Sequence, residues 1–89
     1  MSDSAFKALS DPTRREILRL LGKRPMTAGE IVERFKLSQP AISRHLSVLR
    51  HASLVTGVRD GQNVVYALDT TVFQDVVRAL LGLAGKGKG

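Results

Sequence analysis

The stretch Ser38-Gln39-Pro40-Ala41-Ile42-Ser43-Arg44-His45-Leu46-Ser47-Val48-Leu49 decides how this chain is read. Ser38 offers a hydroxyl to the unpaired amides of a helix start, and Pro40 falls inside the first turn, where a missing N–H costs nothing. The spacing predicts a helix from Gln39 to about His51. Ile42, Leu46 and Leu49 recur at i, i+4 and i+7, so one narrow stripe packs inward and most of the remaining surface is polar or basic. A helix that buries so little keeps a broad outer face for a partner.

Just upstream, Thr27-Ala28-Gly29-Glu30 has capping-box spacing, which starts another helix at Ala28 with Ile31 and Phe35 turned to the core four residues apart. Lys36-Leu37 then makes a tight connection into Ser38. Downstream of Ser53 the period changes: Leu54-Val55-Thr56-Gly57-Val58 and Val64-Val65-Tyr66-Ala67-Leu68 are β-branched and aromatic runs flanking Arg59-Asp60-Gly61-Gln62-Asn63. These form a hairpin with a basic, polar tip, and Asp60-Gly61 is the turn pair because both residues tolerate positive φ. Two short helices, a tight turn and a hairpin give the geometry of a winged helix-turn-helix. In such a fold the second helix enters a major groove while the hairpin tip reaches phosphates or the minor groove.

Further out, Ser4 to Leu9 is a short helical segment with Phe6 and Leu9 on one face. Asp11-Pro12 supplies a cap and a first-turn proline for a helix whose stripe is Ile17, Leu18, Leu20 and Leu21, ended by Gly22 as its C′ residue. Asp69-Thr70-Thr71 caps a last helix whose apolar positions Val72, Phe73, Val76, Val77, Leu80 and Leu81 form two adjacent rows, wider than one small core needs. The expected fold class is mainly α with a small β-hairpin, in the order α-α-α-α-β-β-α. Residues 1–84 make one domain for DNA binding and dimerisation, and residues 85–89, a Gly/Lys repeat, make a disordered tail.

Composition agrees with this. A chain of 89 residues lies below the size at which one core is comfortably stable, and 43% apolar residues can supply both a core and an interface. Lys and Arg number 14 against 8 Asp and Glu, a formal charge of +6, which points to a polyanion: nucleic acid first, an anionic membrane surface second. From Arg34 through Arg59 the chain carries five Lys or Arg and two His, and no acid. There is no cysteine, hence no disulfide and no thiolate ligand. The N-terminus has no secretory pattern and no apolar run approaches the roughly 18 residues of a membrane span, so a cytoplasmic protein without membrane insertion is expected.

The run Phe6-Lys7-Ala8-Leu9-Ser10-Asp11-Pro12-Thr13-Arg14-Arg15-Glu16-Ile17-Leu18 resembles the opening signature of ArsR-type (ArsR/SmtB) repressors. Residues Ser38 to Leu49 are similar to that family's recognition helix, and Val58 to Leu68 to its wing. The runs 26–31 and 70–75 look most like the family's cysteine-free autorepressor, SdpR-like branch. The resemblance implies a homodimer built from the first and last helices that binds an inverted repeat in double-stranded DNA, at or near its own promoter, and blocks transcription. The residues expected in that seam are Phe6, Leu9, Val72, Phe73, Val76, Val77, Leu80 and Leu81. The chain departs from metal-sensing members. Glu30 to Phe35 stands where they carry thiolates, and the last helix offers Asp75 without a histidine, so neither a metal site nor a cofactor is expected. Ser53 also replaces the glycine the family places after its recognition helix.

The DNA contacts expected on the long helix are Ser38, Gln39, Pro40, Ser43, Arg44 and Ser47, since Arg and Gln make paired hydrogen bonds to base edges and a helix N-terminus favours phosphate. Arg59, Gln62 and Asn63 are expected at the wing tip. His45, beside the apolar stripe, reads as a packed, hydrogen-bonded residue, and His51 as a helix-end residue that suits the dipole. For Arg14 and Arg15, surface pairing with Glu16-type neighbours and phosphate contact both stay open. A protein-interaction adaptor is the alternative function. Catalysis is excluded, because the chain has no nucleophile with a placed base, no phosphate-cradling glycine loop and no paired carboxylates on one helical face. With no metal or thiol switch, a sequestering protein partner is the hypothesis for relief of repression.

Overall fold

The computed structural model describes residues 3–83. In chain order the elements are α1 (Asp3–Leu9), α2 (Pro12–Leu21), β1 (Met26–Thr27), α3 (Ala28–Val32), α4 (Gln39–His51), β2 (Val55–Asp60), β3 (Asn63–Leu68) and α5 (Thr70–Leu83). The helix starts follow the caps. Asp11 accepts from the amides of Thr13 at 2.8 Å and Arg14 at 3.1 Å, and Ser38 Oγ from Ala41 at 3.3 Å. Thr27 and Glu30 bond each other's amides reciprocally, and Asp69 accepts from Val72. The core beneath is shared by all the helices: Ala5 and Ala8 of α1, Ile17 of α2, Ile31 of α3, Ile42, Leu46 and Leu49 of α4, and Val76 of α5.

The sheet is antiparallel in the order β1-β3-β2. Its long ladder runs from Val55 opposite Leu68 to Asp60 opposite Asn63, and the short one pairs Met26 with Tyr66 and Thr27 with Val65. The hairpin alone was expected. β1 adds a third strand that ties the wing's return strand to the start of α3, so β3 is paired on both sides at Val65 and Tyr66 while β2 stays an edge strand.

Four local expectations are corrected. The hairpin turn is Gly61-Gln62 rather than Asp60-Gly61: Asp60 pairs with Asn63 as the last rung, and only Gly61, at φ 65°, has positive φ, the pattern of a II′ turn. Gly22 sits at φ −64°, in the right-handed region, so α2 ends through amides of Lys23 and Arg24 that fold back on Leu20 O ahead of Pro25, without a left-handed glycine. α3 stops at Val32. Arg34 and Phe35 donate three residues back, to Ile31 and Val32, and this tightened turn brings Phe35 onto the core from outside the helix. The fourth is β1, a strand where none was read. The expected disorder of residues 85–89 lies outside the described residues.

Ser53 resolves the end of α4. It adopts φ 61°, its amide donates to Arg50 O at 2.9 Å, and the amide of Leu54 donates to Leu49 O at 3.0 Å. That pair of bonds is a Schellman motif with serine in the left-handed position, closed by apolar contact between two fully buried leucines. The chain turns into β2 there, so this one residue aims the wing relative to α4.

Candidate nucleic-acid interface

α4 is held on one face and bare on the other. Ile42, Leu46 and Leu49 are completely buried, which at roughly 1.5–3 kcal/mol for each aliphatic side chain fixes the helix's rotation about its axis. Rotation fixed in this way leaves Gln39, Pro40, Ser43, Arg44 and Ser47 exposed on the far side and its edge, with Ser38 exposed at the helix start. The flanks are held too. On one, His45 Nδ1 lies 3.3 Å from Arg14 Nη1. On the other, Gly57 of β2 leaves room for Arg50 and Tyr66: a Cβ added there would stand 3.3 Å from each.

Arg14 has a role that neither open reading contained. Its Nε donates to Ala8 O at 2.7 Å and its Nη2 to Lys7 O at 3.2 Å, while Arg15 Nη1 reaches Leu9 O at 2.7 Å. Both arginines therefore satisfy the last carbonyls of α1, and Glu16 instead pairs with Arg19. The sequence could not show this, because α1 and α2 must cross before those carbonyls come within reach. Asp11 orients the Arg14 amide at the same corner. Burial pushes the Asp11 carboxyl up, but the donated bonds from Arg14 and Thr13 and attraction to His45 and Arg14 hold it below its ordinary value.

At the wing, the two-residue turn exposes Arg59, Gln62 and Asn63 at the hairpin tip. The nine residues expected to meet DNA thus fall into two exposed groups, one on α4 and one at the tip of the β2–β3 hairpin. Arg44, Arg50 and Arg59 form no ion pair among the described residues. The arginines that are paired with acids, Arg19, Arg24 and Arg78, lie on α2, on the loop before β1 and on α5. The arginines of α4 and the wing are thus among those left without an acidic partner. No three His, Asp or Glu side chains converge among the described residues.

α5 presents the other surface. Of its 14 residues only Val76 is buried, so Val76 serves the protomer's own core and is not available to a partner. Val72 and Phe73 are half-buried, as are Phe6 and Leu9 on α1, while Val77, Leu80 and Leu81 are 39%, 44% and 63% exposed and Leu83 is 79% exposed. An apolar cleft of about 420 Å³ joins the two helices, lined by Leu9, Leu18, Leu68 and Phe73 among others. No described helix is long and apolar enough to cross a membrane.

The family model for "Bacterial regulatory protein, arsR family" matches residues 11–56, from the cap of α2 into β2. The chain is 48% identical over 85 residues to the transcriptional repressor SdpR of Bacillus subtilis, covering 96% of this chain and 94% of that one. It is 44% identical over 69 residues to the HTH-type transcriptional regulator Rv2034 of Mycobacterium tuberculosis, covering 78% of this chain and 64% of that longer one. Among solved structures, a possible transcriptional regulator for arsenical resistance superposes with a TM-score of 0.87 at 30% identity, over 97% of this chain and 88% of the other.

Proposed function

The chain belongs to the arsR family of bacterial regulatory proteins, and from that membership we propose that it is a DNA-binding transcriptional repressor working as a homodimer on an inverted-repeat operator, at or near its own promoter. One observation carries the reading: a capped helix, fixed by its buried stripe, that exposes Ser43, Arg44 and Ser47 with no acid paired to them, beside a wing tip carrying Arg59. Side chains on α4 read base edges, and Ser38 with the helix N-terminus, Arg59, Gln62 and Asn63 hold phosphate or the minor groove. The bare apolar row on α5, with Phe6, Leu9, Val72 and Phe73, is the seam for a second copy, and the twofold axis of that dimer matches an inverted repeat. A sequestering protein is proposed as the switch, since the sequence has no cysteine and no histidine on its last helix.

Binding to a fluorescent duplex from the chain's own upstream region, against a scrambled duplex, tests this. The wild-type chain is expected to prefer its own duplex by on the order of 10³-fold, with affinity falling steeply as salt rises. Arg44→Ala is expected to lose most of that preference while keeping the weak binding common to both. Equal, weak binding of the wild-type chain to both duplexes at every salt concentration would favour an adaptor that binds protein instead.

A further inference from the structure

Between α1 and the flank of α4 lies a cleft of about 410 Å³ lined by Ser4, Lys7, Arg44, Ser47, Val48 and His51. Its make-up is two-sided. Val48 is half-buried, while Lys7, Arg44 and His51 are exposed, and long basic side chains of this kind pair an apolar stem with a charged, donating end. None of these lining residues is acidic. The next cleft along shares Ser4 and His51 and contains Asp75, but that carboxylate is held by Arg78 at 3.0 Å.

A deoxyribose-phosphate strand has the matching make-up, an apolar sugar face between anionic groups. Arg44 and Ser47 belong both to this cleft and to the outer face of α4, so the cleft continues the surface assigned above to base reading. On α1, Leu9 lies in the apolar cleft with Phe73 of α5, whereas Lys7 lines the cleft against α4; Ser4 lines clefts against both α4 and α5. We infer that the α1–α4 cleft seats the backbone of the same duplex, with Lys7 and His51 donating to phosphate oxygens and the sugar against Val48. The inference rests on the DNA-binding reading. It makes α1 a DNA-contacting element at Lys7 and a dimer element at Leu9.

The test is a salt series on the upstream and scrambled duplexes with wild-type, Lys7→Ala and Lys7→Arg chains. The hydrogen bond at Lys7 that ties down Arg14 uses the backbone carbonyl, which substitution leaves in place. Lys7→Ala is expected to weaken both duplexes about tenfold alike and to reduce the slope of log K against log salt by about 2 per dimer, one phosphate per protomer at about 0.9 each. The ratio of the two affinities stays unchanged, and Lys7→Arg restores affinity and slope. An unchanged slope and affinity in Lys7→Ala, with Arg44→Ala still abolishing preference, would take α1 off the DNA and leave the repressor reading standing. A wild-type chain with no preference at any salt concentration would overturn the reading beneath as well.

Discussion

Ser53 is the residue on which the relative aim of recognition helix and wing depends, and it is held in a conformation that costs a non-glycine residue about 1–2 kcal/mol. Glycine would remove that cost while adding backbone entropy to the unfolded chain, so Ser53→Gly is expected to stabilise by about 0.5–1 kcal/mol, a few degrees in Tm for a chain this size. Urea unfolding at fixed protein concentration checks it; no change, or a loss, would mean that the serine hydroxyl supplies something the motif needs. The replacement of glycine was visible in the sequence, but its outcome was not, because a left-handed serine is tolerated only where Leu49 and Leu54 are buried together on either side. Arg14 and Arg15 were equally opaque. Their partners are carbonyls on a different helix, and a carbonyl has no signature in a sequence.

Among the elements, those with a local cause were legible. α4 begins and ends where Ser38 and the apolar stripe place it, from Gln39 to His51, and the Thr27–Glu30 box starts α3 at Ala28. What escaped depends on the other end of a contact: β1 is two residues long, too short for any period, and exists because Tyr66 and Val65 pair with it. The end of α3 escaped because turn bonds after Val32 bring Phe35 onto the core without helix. The caps also make the elements sensitive to acid. Hydrogen bonding from the Thr27 amide, opposed by burial and helped by Arg24, holds the Glu30 carboxyl below its ordinary value, and Asp11 is lowered likewise. A carboxyl whose folded pKa lies below its unfolded one contributes stability above the unfolded value, near 4, and loses it as pH falls through the folded one. Stability is therefore expected to decline as pH drops below about 4, and Asp11→Asn, which keeps a capping oxygen but cannot titrate, should flatten that decline. Parallel pH curves for the two chains in urea titrations would show that the cap does not contribute to it.

For the whole molecule, its charge and its uncovered apolar surface point to two partners. The chain carries a formal charge of +6, and Arg44, Arg50 and Arg59 on α4 and the wing have no ion pair among the described residues, which suits a duplex, while the exposed leucines of α5 suit a second copy. The exposure of the nine residues expected to meet DNA was readable from helix phase and turn position. Seven of the eight expected seam residues keep exposed surface, and Val76, in phase with them, is taken by the core. The measurement that tests the DNA-binding homodimer most directly is a hydroxyl-radical footprint of the chain on its own upstream DNA. Two protected patches related by a twofold axis, with centres about 10–10.5 base pairs or a multiple apart, are predicted. A single patch, or even protection along the whole fragment, would contradict a homodimer on an inverted repeat.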